Sequence, residues 1–311
     1  AEMTEKEFSS NKELQLLRKH FISLDSYLQN KSRILETRFS LETMRETLTK
    51  ATEKVDLNIE YSPSNEFDVK FIDFVVWSKI DKRFDQTINR VIENSHKKLI
   101  NIRDLDHIIN SLNMLFQPKN IKERIVINYA INRYFFDALS TVPGFFLFTD
   151  DDDSRMFNRE CAVIRKKTPK QLGINPSLMR PEMMDRPFED IVKESEYLSE
   201  SSLRLNSLHF YTNPFDTAFT AFNAVKTIDK FVLQNKLVDE TSTKGSGMSF
   251  DDVFTLFCPV LAIDPPKNCM SLAKFFSKVD GLVFSSALDF AKLLIVSSVR
   301  YITELSYNKS V

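Results

Sequence analysis

Glycine is scarce in this sequence of 311 residues, which contains only five glycines and none before residue 144. Nucleotide-binding loops need closely spaced glycines, because their backbone must turn tightly and approach phosphate groups. No phosphate-loop or dinucleotide-binding motif can be written with the glycines present. Tight two-residue β-hairpins also depend on glycine. The scarcity therefore excludes most nucleotide-binding enzymes and predicts an all-α protein.

Metal-site and disulfide patterns are absent as well. The three cysteines are widely spaced and the four histidines are scattered, so no pair has the spacing of a zinc site. An odd cysteine count without a recognisable secretory signal predicts buried free thiols in a reducing, cytosolic compartment. The four aspartates at 150–153 lack the alternating ligands and the glycine of an EF-hand loop, and we interpret them as a solvated loop. We therefore expect no metal site.

Neither sign of charge is in surplus, because 42 Lys and Arg stand against 43 Asp and Glu. Nucleic-acid-binding proteins usually show a basic surplus or stripe, so we do not expect a nucleic-acid partner. The densest basic run, Arg165, Lys166 and Lys167, is short, and we interpret it as a solvated segment. The longest apolar stretch, at 287–299, is interrupted by Asp289 and Lys292. We expect a soluble protein without a transmembrane segment.

Helical periodicity dominates the first 142 residues. A capping box at Thr4 and Glu7 precedes an amphipathic helix that extends to about Asn30. The spacing of apolar residues predicts further helices at 41–55, 67–99, 104–116 and 121–139. The heptad spacing drifts after three repeats, which favours packing within the chain over a dimeric coiled coil. We interpret residues 1–142 as an N-terminal helical bundle.

Proline content changes after residue 142, since only two prolines precede that point and five lie between 169 and 214. This shift predicts a second module at 143–311. Within it, helices are expected at 215–233, from Ser249 to the Pro265-Pro266 pair, at 272–276 and at 286–305. Ser249, Asp251 and Asp252 form a typical helix start, and Pro259 must kink that helix or shorten its regular part.

Three sequence blocks in the second module occur in a familiar order. The first consists of FEDI at 188–191 and YTNPFD at 211–216. The second is SFDDVF at 249–254, followed by a mostly apolar run that ends in DPP at 264–266, and the third is DFAKLLIVSSVRYI at 289–302. Together they resemble the Vps-nine domain, the guanine nucleotide exchange module for endosomal Rab GTPases, over about residues 155 to 306. A helical bundle before this domain is also a familiar arrangement in the family.

The resemblance implies an exchange reaction in which a carboxylate at a helix start pairs with the phosphate-loop lysine of the GTPase and stabilises its nucleotide-free form. It assigns this role to Asp252, with Asp251 as the alternative because the alignment is ambiguous by one residue. Phe254, Phe257, Phe290 and Leu293 would form the groove for the GTPase. No cofactor is required, and the implied location is the cytoplasm, with recruitment to endosomal membranes.

The sequence also departs from the family pattern. The closing helix of the family presents a Tyr and a Thr to the GTPase, whereas this chain has Phe290 and Leu293 at those positions. The family proline one turn after the acidic residue is missing, and the interval between the two motifs of the second block is one residue short. Three interpretations therefore remain open: an exchange factor, a catalytically silent relative that binds a GTPase, and a helical adaptor or tethering scaffold unrelated to GTPases. The competing structural interpretation is that the two acids only complement the helix dipole and that the aromatic residues are core.

Overall fold

Helix is the regular secondary structure in the parts of the chain that the structure, a computed structural model, describes. These parts are residues 41–53, 65–77, 81–95, 102–140, 154–235, 248–278, 282 and 284–307. Helices account for most of them, and no β-strand occurs among them. The all-α prediction is confirmed. The helix predicted at 4–30 lies outside the described residues.

Twelve α-helices are described, and we number them in chain order. The first five are α1 (Leu41–Glu53), α2 (Asn65–Trp77), α3 (Asp81–Ser95), α4 (Ile102–Phe116) and α5 (Ile121–Ser140). The others are α6 (Ser154–Ile164), α7 (Phe188–Glu194), α8 (Glu196–Asn206), α9 (Pro214–Asn235), α10 (Phe250–Ile263), α11 (Cys269–Lys278) and α12 (Ser286–Tyr307). Short 3-10 helices lie at Pro176–Leu178, Pro181–Met183 and Ser207–Phe210.

Packing divides the chain into two compact units. The first contains α1, α2, α3 up to Asn94, α4 from Arg103 onward and α5 up to Phe135. The second contains the described residues from Phe136 onward, together with Ser95 and Ile102. Their boundary therefore falls inside α5. The boundary that proline content predicts, between residues 142 and 143, lies outside the described residues and stays a prediction.

The first unit has a phenylalanine-rich core. The rings of Phe71 and Phe74 both pack against Phe116, with centroids 5.9 and 5.2 Å apart. Phe84 meets Tyr134 edge to face. Asp68 and Arg133 form a buried ion pair, so the first unit also contains a charged contact between α2 and α5.

In the second unit, α12 packs against α6, α9, α10 and α11. Its buried side is a regular apolar stripe, since residues three and four apart share a helical face. The members of this stripe include Leu288, Ala291, Leu294, Ile295, Val299 and Ile302. Helix α12 therefore packs against four of the other helices of this unit, while α7 and α8 pack on α10.

Small side chains bring α8 and α9 close together. Ser201 of α8 is fully buried, and its hydroxyl donates a hydrogen bond of 3.0 Å to the carbonyl oxygen of Ala224 in α9. Ala218, Ala221 and Ala224 on α9 are also completely buried. Because neither surface carries a long side chain at these positions, the two backbones can approach each other closely.

The segment between α6 and α7 is held by backbone hydrogen bonds. The amides of Phe188 and Glu189 donate to the carbonyl oxygens of Lys167 and Arg165, each over 2.9 Å. Gly173 adopts a φ of 72°, a left-handed conformation that favours glycine, and so it reverses the chain before the first 3-10 helix. These contacts fix the position of Asn175, which reaches the start of α10.

Candidate functional site

Helix α10 begins with a complete capping box. The hydroxyl oxygen of Ser249 accepts a hydrogen bond of 3.1 Å from the amide of Asp252, and the Ser249 amide donates to Oδ2 of Asp252 over 3.4 Å. Both contacts satisfy amide groups that have no partner within the first turn of a helix. The helix start predicted at Ser249 is confirmed.

The carboxylate of Asp252 is occupied by local contacts. Its Oδ2 also accepts a hydrogen bond of 2.9 Å from the Ser249 hydroxyl, while its Oδ1 accepts one of 3.3 Å from the side-chain amide of Asn175. Asn175 is itself held, because its Oδ1 accepts hydrogen bonds from the amide and hydroxyl of Ser177. Asp252 therefore performs a structural task at the helix start.

Asp251 has a different environment. Its side chain is exposed, and within the described part of the chain no hydrogen bond or ion pair engages its carboxylate. It lies in the first turn of α10, where the partial positive charge of the helix end favours a negative group. The carboxylate is thus exposed at a favourable position and free to accept a partner.

A surface of large apolar side chains begins next to these acids. We call Phe250, Phe254, Phe290, Leu293 and Tyr301 the aromatic surface. The ring of Phe250 stacks on Phe254 with centroids 6.3 Å apart and meets Phe290 edge to face at 5.8 Å. Phe254 in turn meets Tyr301 edge to face at 5.9 Å. Four rings therefore form a continuous row across α10 and α12.

The aromatic surface remains accessible to solvent. Phe250, Leu293 and Tyr301 are 40%, 50% and 43% exposed, and Phe254 and Phe290 are half-buried. Asp251 and Phe254 are three residues apart, which makes them neighbours on the surface of α10. A carboxylate without a described partner and an exposed apolar row therefore lie side by side, as in a docking site that recognises both charge and apolar area.

The predicted site residues are distributed between this surface and the core. Asp251, Asp252, Phe254, Phe290 and Leu293 lie on or beside the aromatic surface. Phe257 is fully buried and does not belong to it, because it lies one turn further along α10 on the side that packs into the second unit.

Three further residues belong to the region although the sequence did not single them out. Phe250 directly precedes the acidic pair, and Tyr301 follows Phe290 by eleven residues, close to three helical turns. Helical spacing identifies both residues, because Phe250 also lies four residues before Phe254. Asn175 gives no such signal, because it lies 77 residues from Asp252 in the sequence.

The three cysteines are buried in the second unit, with Cys161 on α6, Cys258 on α10 and Cys269 on α11. Burial raises the pKa of Cys258 to about 12 and, together with the nearby Cys258, raises that of Cys161 to about 12. Burial also raises the pKa of Cys269. Protonated, buried thiols are poor nucleophiles and poor metal ligands. Among the described residues, no cluster of His, Cys, Asp or Glu is arranged to hold a metal ion.

Compared with known protein families and with curated proteins, the chain gives no match. The described helices include none with the length and apolar character needed to cross a membrane.

Proposed function

We propose that the protein is a guanine nucleotide exchange factor for a small GTPase of the endosomal Rab type. The observation that carries this proposal is the exposed carboxylate of Asp251 beside the aromatic surface, at the start of a helix whose sequence resembles the Vps-nine domain. The resemblance supplies the partner, and the geometry supports a site that recognises a cation and apolar groups together.

In the proposed reaction, the carboxylate enters the nucleotide site of the GTPase and pairs with the lysine that otherwise binds phosphate. This ion pair stabilises the nucleotide-free form relative to the loaded form, so the bound nucleotide dissociates faster. No covalent bond forms or breaks, and no cofactor takes part. The nucleotide-free GTPase is accordingly the preferred partner.

Asp251 is the better candidate for this carboxylate than Asp252. Asp252 would have to give up the capping box and the contact with Asn175 before it could pair with a lysine. Asp251 makes no contact of this kind with any described residue, so its pairing costs little reorganisation. We therefore assign the exchange role to Asp251 and the helix start to Asp252.

The aromatic surface is the proposed docking area for the GTPase. Exposed rings offer apolar area with little conformational freedom to lose, which is the usual character of residues that dominate an interface. Phe290 and Leu293 occupy the positions of the Tyr and Thr that the family presents to the GTPase. Without these two hydroxyl groups, we expect exchange to be slower than in the family.

The test is nucleotide release from a panel of loaded Rab proteins of the endosomal branch, with the full chain as catalyst. Asp251→Asn keeps the size of the side chain but removes its charge, and we expect it to lower the exchange rate about a hundredfold, as for loss of one partner of a desolvated ion pair. Asp190→Asn is the matched control, because Asp190 is also a first-turn acid of a helix in the second unit.

The outcomes separate the three interpretations. Loss of activity in Asp251→Asn, with normal activity in Asp190→Asn, supports the exchange reaction. Formation of a complex with nucleotide-free GTPase on gel filtration, without accelerated release, identifies a silent binding relative. If the chain neither binds any GTPase of the panel nor accelerates release, the scaffold interpretation is left. We expect action in the cytoplasm, with recruitment to endosomal membranes.

A further inference from the structure

The segment from Ser154 to Pro181 carries a concentration of positive charge that the overall composition conceals. It contains seven basic residues and a single acid, Glu160, in a chain whose formal net charge is −1. Glu160 is buried, so it contributes no exposed negative charge. The basic residues are Arg155, Arg159, Arg165, Lys166, Lys167, Lys170 and Arg180. The four aspartates at 150–153 precede this segment and lie outside the described residues.

Helix α6 sorts its side chains into two faces. Its buried face consists of Phe157, Glu160, Cys161 and Ile164, which pack toward α10 and α12. Because a helix has 3.6 residues per turn, five residues on the other side of α6 fall within a stripe that spans about 100° around the helix axis. We call this stripe the basic face, and its members are Arg155, Met156, Arg159, Val163 and, just beyond the helix end, Lys166.

The basic face combines cations with exposed apolar groups. Met156 is 49% exposed and Val163 is 38% exposed, while Arg155, Arg159 and Lys166 are all exposed. None of these three cations forms an ion pair with another described residue. The nearest basic residue in the sequence that forms an ion pair is Lys170. Its Nζ lies 4.0 Å from Oδ1 of Asp185, and both groups are highly exposed.

We propose that the basic face binds the surface of a bilayer that contains anionic phospholipid. Charge complementarity selects the anionic headgroups, to which each Arg or Lys near the surface adds affinity. Met156 and Val163 select a bilayer over other polyanions, because a membrane interface offers an apolar phase at headgroup depth and a nucleic acid does not. The inference does not rest on the proposed exchange activity.

The binding test is sedimentation of the full chain with vesicles of phosphatidylcholine, with or without phosphatidylserine. We expect binding only to vesicles that contain phosphatidylserine, and weaker binding as salt is raised. The triple variant Arg155→Gln, Arg159→Gln, Lys166→Gln should bind roughly a hundredfold more weakly, since each basic residue near the surface contributes about fivefold.

The matched control is Lys230→Gln, Lys267→Gln, Lys278→Gln, which removes the same charge from exposed positions elsewhere in the second unit. It should weaken binding by no more than about threefold, because none of these three lysines belongs to the basic face. All six residues are exposed, so circular dichroism and melting should match those of the wild type. An equal loss in both triple variants would overturn the proposal in favour of a general charge effect.

The variant Met156→Ser, Val163→Ser keeps the charge and tests the apolar contribution. We expect about a tenfold loss of vesicle binding from the missing apolar contacts. Unchanged binding in this variant would contradict insertion into a bilayer. Binding to a DNA duplex that the α6 triple variant abolishes, without any binding to phosphatidylserine vesicles, would assign the basic face to nucleic acid instead.

Discussion

The aromatic surface on α10 and α12 and the basic face on α6 both expose large apolar side chains, but their charged neighbours have opposite signs. Asp251 adjoins the aromatic row, whereas Arg155, Arg159 and Lys166 lie beside Met156 and Val163 on the same face of α6. Exposed apolar area alone does not identify a partner, because it favours any dry contact. The adjoining charge makes the contact selective: a carboxylate favours a cationic group such as a lysine, and a cluster of cations favours an anionic phase.

The largest effect that we expect is that the proposed nucleotide exchange and the proposed vesicle binding can be lost independently of each other. Asp251→Asn should lower nucleotide release about a hundredfold and leave vesicle binding unchanged. The triple variant of the basic face should lose vesicle binding and retain full exchange in solution. Both variants are measured in both assays with the same protein preparations. Parallel loss in the two assays would indicate that the surfaces act as one site.

Introducing the hydroxyl groups that the Vps-nine domain carries at two positions tests the proposed role of the aromatic surface. Leu293 is half-exposed and Phe290 is not fully buried, so Phe290→Tyr with Leu293→Thr can place both hydroxyl groups in reach of solvent or a partner. We expect exchange to rise about tenfold, as one or two interfacial hydrogen bonds are gained. Vesicle binding should not change. A loss of stability without faster release would place these side chains in the core.

The stability of the protein at alkaline pH tests the burial of Cys161 on α6 and Cys258 on α10. The folded pKa values of Cys161 and Cys258 lie near 12, above the ordinary value of 9.0. Between pH 9 and about pH 12, the unfolded state therefore loses the thiol protons whereas the folded state keeps them. The free energy of unfolding should therefore fall above pH 9, by about 1 kcal/mol per pH unit for each thiol.

The comparison of wild type with Cys258→Ala isolates this thiol from other groups that titrate at alkaline pH. Urea unfolding at several pH values between 9 and 11 should give a shallower dependence for the variant. Parallel curves for the two proteins would show that ionisation of Cys258 does not contribute.

The smallest expected effect distinguishes the two neighbouring aspartates of α10. Asp252→Ala removes the capping box and the contact with Asn175, and should lower the free energy of unfolding by about 1 kcal/mol. Asp251→Ala loses only its interaction with the helix end, worth about 0.3 kcal/mol at an exposed position. Denaturant unfolding of both variants measures the difference. The reverse order would mean that Asp251 is the structural residue.

Much of the helical structure could be predicted from the sequence, because periodic apolar residues and helix starts are local signals. The start of α10 follows from Ser249 and the acids after it, and α9 and α12 follow from their apolar spacing. Helix α8 gives no clear periodic signal, because serines form part of its buried face and serine does not contribute to an apolar pattern. Helix α6 also gives a weak signal, because it buries Glu160 and exposes Met156 and Val163, against the usual apolar pattern.

The candidate surfaces were harder to predict than the helices, since exposure depends on contacts between distant segments. Phe254 and Phe257 look alike in the sequence, yet only tertiary packing buries the second completely. The basic face gives little signal in the sequence because net charge is an average over the chain. The short run at Arg165, Lys166 and Lys167 gives no indication of Arg159 and Arg155, about two and three helical turns earlier. A helical projection of charge is needed to detect such a face.

Pro259 lies inside α10, and the helix continues past it to Ile263. Proline has no amide hydrogen, so the carbonyl oxygen of Thr255 lacks its helical donor and one bond of the ladder is missing. The turns that carry Phe250, Asp251 and Phe254 are therefore joined to the rest of α10 by a weakened step. Local opening of these turns therefore requires less free energy than it would in an unbroken helix. The acidic end of α10 can change its orientation more easily if a partner binds there.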